Sequence, residues 1–379
     1  MDAQAGWIAP LQAISERQRK IAHRWATFGP YYAMFPVAFA RQVIAENTVV
    51  GDGVLDPFSG RGTSVFCAGE MERFAFGTEL NPVGWLYAKT KLCPAAADRV
   101  IERAEQISAR GDSYSEKAAN LPPFYRMCFA PRVLRFLVAG REELNWRSDT
   151  VDATLMAFVL TYLHGKIERG RPAALSNQMR QTKCMAPDYS IRWWLENGYD
   201  RPPDICPVEF LSERILWRYK HGVPALQECA VRFGDCRTIL PRVRSEKRYR
   251  LLLTSPPYCG VTSYYYDQWL RLWMLGDAAH PIRAGETWKG KFEHRGEYEQ
   301  LLSLAFGRSR RLLTDVSTIS VRTDARELTL SITKRVLQAT FPNKQAEFVP
   351  APYEKATQTS LFGDKLPKPG EYDIILRPR

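Results

Sequence analysis

Residues 251–258 read Leu-Leu-Leu-Thr-Ser-Pro-Pro-Tyr, and this stretch limits the chain more than any other. The uncharged apolar run reads as a buried strand, and Pro256 and Pro257 stop it, because residues without a backbone N–H cannot continue a ladder. The carbonyl of Ser255 or Pro256 is then left without a sheet partner at the strand's carboxyl end, where open α/β sheets place their ligands. A hydroxyl, free carbonyls and the Tyr258 phenol converge there. Such a set suits an amine on a flat ring: the hydroxyl and a carbonyl accept its hydrogens while Tyr258 stacks on the ring. A tight turn with no ligand is the plainer alternative, and support for a pocket has to come from elsewhere in the chain.

That support begins at Gly53-Val54-Leu55-Asp56-Pro57-Phe58-Ser59-Gly60-Arg61-Gly62-Thr63, a short strand breaking into a Gly-rich turn, with a helix predicted from about Ser64 to Met71. The glycines let backbone approach a ligand closely, and the helix amino terminus offers N–H groups to a carboxylate or phosphate. The spacing Gly60-x-Gly62 is not that of a dinucleotide fingerprint. A second strand, Phe74–Glu79, ends on an acid about 20 residues beyond the loop, where doubly wound folds place a ribose-binding carboxylate. Asn81-Pro82 opens the next helix. Val231–Arg237 is a further short strand ending on Asp235, either an acceptor for an adenine amine at the same sheet edge or a helix cap.

Around these pieces the chain reads as follows. Residues 7–27 form a surface helix ending near Gly29-Pro30, and residues 37–47 form an amphipathic helix after the aromatic loop Tyr31–Pro36, which either covers a cofactor or staples the helix. From Asp98 to about Cys229 no strand-turn-helix repeat is visible, so residues 99–225 read as a largely helical insertion between catalytic segments 1–98 and 226–379. Its middle carries Arg169, Arg171, Ser176, Asn177, Gln178, Arg180, Lys183, Arg192, Trp193 and Trp194. Cations, amides and aromatics of this kind contact phosphates, base edges and unstacked bases, although an ordinary helical lid gives a similar mixture. Tyr264–Leu275 is an aromatic core helix, Ser317–Arg322 a strand, Thr329–Phe341 a helix and Glu371–Leu376 a final strand that pairs as a hairpin.

With 379 residues the chain can bury a large core, and its excess of 12 positive charges and pI near 9.3 favour a polyanionic partner. No apolar run spans a bilayer and no signal pattern opens the chain, so a cytoplasmic, nucleoid-associated protein is expected. The eight cysteines show no Cys-x-x-Cys pair. Reduced structural thiols are expected and no metal; a zinc site from Cys184, Cys206, Cys229 and Cys236 is the weaker alternative.

Together these stretches resemble the S-adenosylmethionine-dependent amino-methyltransferases of DNA, which modify cytosine N4 or adenine N6. The resemblance covers the parts outside the insertion and implies an α/β, Rossmann-like, doubly wound mixed seven-stranded sheet of class I methyltransferase type. Residues 56–63 look like the family's cofactor loop, with Asp56, Phe58, Gly60, Gly62 and Thr63 as contacts. Glu79 looks like its ribose acid and Asp235 its adenine-side acid, Asn81 and Thr254 join the cofactor set, and Phe35-Pro36 looks like the cofactor-covering motif. Ser255, Pro256, Pro257 and Tyr258 look like the catalytic motif. Ser rather than Asp or Asn before Pro-Pro-Tyr is associated mainly with cytosine N4, so site-specific N4 methylation of a flipped base in duplex DNA is the leading expectation. Adenine N6, an RNA or protein methyltransferase, and an inactive DNA-binding subunit are the alternatives, intact Gly60, Gly62, Ser255 and Tyr258 standing against the last. No Pro-Cys-Gln occurs, so the covalent route to cytosine C5 lacks its nucleophile. The insertion lies between the Glu79 and Asp235 strands, an unusual place for target recognition in this family, yet it is the best candidate for DNA contact by elimination. Restriction or defence components are expected partners, and Gln358–Phe362 resembles a sliding-clamp-binding peptide, with a loop tucked into the core as the plainer reading.

Overall fold

The three leucines of residues 251–253 are fully buried and feed two different cores, as a strand covered on both faces requires. In this computed structural model, which describes residues 16–31, 36–168, 170–226, 228–244, 246–260, 264–282, 294–351 and 370–379, Leu252 packs with Leu55 in one apolar cluster. Leu251 and Leu253 pack with Val54 in another.

The strands are β1 (Gly53–Asp56), β2 (Phe74–Glu79), β3 (Ile167–Glu168), β4 (Arg171–Pro172), β5 (Cys229–Phe233), β6 (Tyr249–Thr254), β7 (Leu313–Asp324), β8 (Lys344–Ala351) and β9 (Glu371–Pro378). Seven form one sheet in the order β5-β2-β1-β6-β7-β9-β8, while β3 and β4 make a separate small hairpin. The five strands from β5 to β7 are parallel; β9 runs antiparallel to both β7 and β8. Order reverses between β1 and β6, so the ligand crevice of this class I, doubly wound fold lies outside the carboxyl ends of those two strands. Asp56 and the Ser-Pro-Pro-Tyr motif stand at those ends.

Four helices frame the crevice: α1 (Glu16–Ala26), α2 (Val37–Asn47), α3 (Thr63–Glu70) and α4 (Pro82–Leu92). α2 and α3 cover one sheet face through Ala40, Ile44, Val65 and Ala68, and helices 295–310 and 327–340 cover the other through Leu302, Phe306 and Ile332. α4 starts as its sequence suggests, with Asn81 Oδ1 accepting from Val83 N at 2.9 Å and Pro82 in the first turn.

The insertion is mostly helical, and its core is not its own. The largest apolar cluster joins insertion residues such as Phe136, Leu155 and Phe158 to Val83, Leu86 and Tyr87 of α4 and to Trp269, Leu270 and Trp273. The expected single aromatic helix is two short ones, Tyr264–Asp267 and Trp269–Met274. Helix 295–310 and strand β8 carry no expectation from the sequence; β8 is an edge strand in which half-buried and exposed positions alternate and which carries Pro350. Gln358–Phe362, Phe35 and Arg169 lie outside the described residues. Among the described residues, no helix is long and apolar enough to cross a membrane.

Candidate active site

β1 ends on Asp56, which is almost fully buried. Phe58 N (3.0 Å) and Thr254 Oγ1 (2.6 Å) donate to its Oδ1, and Ser64 Oγ donates to Oδ2. One carboxylate thus ties the carboxyl ends of β1 and β6 to the start of α3. Burial pushes its pKa up to about 6, opposed by the bonds from Ser64, Thr254 and Phe58. Asp56 and Thr254 face each other, and neither lines the pocket that Gly60, Glu79 and Ser255 share, because their polar atoms are engaged in closing the switch point.

The loop after β1 turns through Gly60 (φ 53°) and Gly62 (φ 72°). A Cβ on Gly62 would lie 2.7 Å from Ala88 Cβ, so this glycine allows α4 to pack against the loop. Gly62 therefore serves packing, and the first turn of α3 is buried, with Thr63 Oγ1 left without a hydrogen-bond partner. Gly60 does reach the crevice. Its N–H donates to Glu79 Oε2 at 2.7 Å, while Asn81 N donates to Oε1 at 2.8 Å. Both Glu79 oxygens are held by backbone N–H groups, with Leu80 N–H also acting on the carboxylate. Burial raises the Glu79 pKa to about 7, against the bonds from Asn81 and Gly60.

These groups open onto a pocket. Tyr31, Phe58 and Leu301 give it apolar walls, and Glu79, Asn81 and Asp235 give it polar ones. Ser255 and Pro257 line the same space. Asn81 Nδ2 is buried without a hydrogen-bond partner, an unmet donor of the kind a ligand satisfies. Asp235 caps the following helix by accepting from Arg237 N at 2.7 Å, and the Arg237 guanidinium forks onto both its oxygens. Burial would raise the Asp235 pKa, but the Arg237 bonds hold it below its ordinary value. The cap and the ligand-facing acid are one residue. A carboxylate placed for a vicinal diol, flat apolar walls and a second acid at the far end fit the ribose and adenine of S-adenosylmethionine.

Beyond the pocket, Tyr258 Oη donates to Glu371 Oε1 at 2.7 Å. Arg322 stands 3.8 Å from Glu371, forks onto Asp373 with two bonds of 2.7 Å, and lies 3.5 Å over the Phe39 ring of α2. The Ser-Pro-Pro-Tyr motif is thereby tied to β9, β7 and α2. Pro36, expected over the cofactor, is exposed and outside the pocket.

The insertion residues proposed for DNA contact separate into groups. Arg171 and Arg192 are exposed. Lys183 pairs with Asp267 at 2.6 Å. Asn177 is fully buried, with its amide donating to the carbonyls of Met127 (3.1 Å) and Tyr199 (2.8 Å), so it cannot read a base edge, a further correction. Gln178 Oε1 accepts from Ile167 N, and Gln178, Arg180 and Trp193 line a second pocket within the insertion. Among the described residues no group of three His, Cys, Asp or Glu side chains is arranged to hold a metal, and the eight cysteines form no disulfide.

Tyr31 comes from the aromatic loop expected either to cover a cofactor or to staple a helix, and it lines the pocket; Arg237, Leu301 and Glu371 were absent from the expected site. Arg237 had a legible signal, two residues beyond a cap acid. Leu301 and Glu371 had none, because only tertiary packing brings their elements to the crevice.

Residues 3–87 match the family described as DNA methylase. No curated protein matches the chain. Among solved structures it is similar to the rRNA methyltransferase aviRa from Streptomyces viridochromogenes, at 13% identity over 95% of this chain and 92% of that one, with a TM-score of 0.34. TrmN from Thermus thermophilus is similar at 12% identity over 96% and 53%, TM-score 0.33. A TehB-like SAM-dependent methyltransferase from Corynebacterium glutamicum is similar at 10% over 96% and 98%, TM-score 0.31. The fold assignment stands on the strand order and not on these likenesses.

Proposed function

We propose that the chain is an S-adenosylmethionine-dependent amino-methyltransferase of the N4-cytosine/N6-adenine kind, a reading the family match over residues 3–87 supports, and that it methylates DNA at the N4 amine of a flipped cytosine. One observation carries the reading: Ser255 and Pro257 line the same pocket as Glu79 and Asp235. A group that can hold an amine therefore adjoins a site suited to the cofactor.

S-adenosylmethionine supplies an electrophilic methyl group on a sulfonium. The chain's residues do the rest. Glu79 accepts from the ribose hydroxyls and Asp235 from the adenine amine, fixing where the methyl group sits. Ser255 Oγ and the Pro256 carbonyl accept hydrogen bonds from the cytosine amine, which draws density onto a nitrogen that is otherwise a poor nucleophile and aims it in line. Tyr258, its hydroxyl held by Glu371, stacks on the unstacked ring. The extra 12 positive charges favour a phosphate backbone as partner.

The deciding experiment incubates purified protein with labelled S-adenosylmethionine and unmethylated duplex DNA or RNA, then identifies the methylated nucleoside by mass. N4-methylcytosine is expected. N6-methyladenine would overturn the base assignment and keep the reaction; label in RNA alone would overturn the substrate.

A further inference from the structure

The insertion contains a pocket that shares no lining residue with the one beside Ser255. Lys166, Gln178, Arg180, Met185, Tyr189 and Trp193 line it, and no acidic side chain does. Two cations suit phosphate, an amide suits a base edge, and aromatic faces suit an unstacked base. Trp193 is half-buried and stacked on Tyr199, with centroids 5.6 Å apart and planes 17° apart, which fixes the indole in place.

The wall of this pocket is an irregular segment, residues 177–184, tied down by buried side chains at four of its carbonyls. Trp194 Nε1 donates to Gln178 O at 2.5 Å. The Nδ1 of buried His164 donates to Arg180 O at 2.6 Å; a carbonyl only accepts, so the proton sits on that nitrogen. Arg271, fully buried, donates to Gln181 O at 2.5 Å, and Gln268 Nε2 to Thr182 O at 3.3 Å. A loop without secondary structure whose carbonyls are held in this way is already ordered before a ligand arrives, which lowers the entropy lost on binding. Gln268 and Arg271 follow the catalytic motif by about ten residues, so the pocket is tied to the segment that carries Ser255 and Tyr258.

We propose that this pocket takes a second unstacked nucleotide of the DNA substrate, its base against Trp193 and Tyr189 and its phosphate on Lys166 and Arg180. The proposal rests on DNA as the substrate. The absence of any lining acid favours a polyanionic strand over a peptide.

The test titrates a short, mixed-sequence single-stranded DNA into the full chain, with S-adenosylhomocysteine filling the cofactor pocket, and reads tryptophan fluorescence. Trp193→Ala should weaken binding about tenfold, the cost typical of losing one base stack. Lys166→Gln, at an exposed position, should lower the slope of log affinity against log salt by about 0.7, the value for one phosphate contact on a single strand. Both variants should bind S-adenosylmethionine as the parent does. Parental affinity and salt slope in both, or tighter binding of the matching RNA strand, would overturn the proposal. The readouts separate it from the methylation reading: a chain that binds through Trp193 yet methylates no DNA refutes that reading alone. DNA methylation with an unchanged KM in both variants refutes this one alone.

Discussion

At the scale of single residues, the crevice places two carboxylates under opposing demands. The Glu79 and Asp56 pKa values are raised from 4.5 and 3.8 to about 7 and about 6, in each case chiefly by burial. The folded chain thus retains protons that the unfolded chain has released. Stability from these groups is present in full below about pH 4 and is lost as pH rises toward 7. For Asp56 the loss is on the order of 3 kcal/mol. Cofactor affinity should move the other way, because only ionised Glu79 accepts from both ribose hydroxyls while holding the Gly60 and Asn81 N–H groups. Titration calorimetry from pH 6 to 8 should show S-adenosylmethionine binding more tightly as pH rises, and Glu79→Gln should remove that dependence and weaken binding about tenfold or more. A pH-independent affinity in the parent would exclude Glu79 from the site. Ser255→Ala should lower kcat about a hundredfold while leaving cofactor affinity unchanged, since its hydroxyl is assigned to the amine alone. Full methylation of DNA by that variant would remove Ser255 from catalysis.

At the scale of elements, the site depends on how closely β6, α4 and β9 approach. Gly62→Ala combines a left-handed backbone with a Cβ 2.7 Å from Ala88 Cβ, so α4 must shift away from the cofactor loop. Thermal melts should show a loss of at least about 2 kcal/mol, together with weaker cofactor binding because Glu79 and Asn81 move with the start of α4. β9 acts on the catalytic motif from a distance. Tyr258 and Glu371 are 113 residues apart and share one hydrogen bond. Glu371→Ala should leave cofactor affinity intact and lower kcat several-fold, since the stacking ring loses its anchor; an unchanged kcat would show that the bond is incidental.

At the scale of the molecule, the insertion and the helices beside the sheet share one apolar core. The cluster that buries Phe136 and Phe158 of the insertion also buries Val83, Tyr87, Trp269 and Trp273, which belong to segments flanking the cofactor loop and the catalytic motif. Removing residues 99–225 would expose those side chains to water, so the remainder should fail to fold, and the intact chain should melt in a single transition in calorimetry and near-ultraviolet dichroism. Two separated transitions would show that the insertion is a domain of its own.

The sequence by itself determined the elements whose signals are local: the leucine strand stopped by Pro256, the glycine turn, the acids ending or following β2 and β5, and the helix start at Asn81. Each depends on residues within one turn of backbone, and the doubly wound sheet follows from their order. The tertiary structure decided which of those residues face a ligand. Asp56 and Thr254 are 198 residues apart and satisfy one another, Asn177 turned inward to hold two carbonyls, and Glu371 and Leu301 arrived from elements whose role no local pattern announces. Burial and hydrogen-bond satisfaction are set by partners distant in the chain, so a motif can name a site residue before anything in the sequence shows where its polar atoms point.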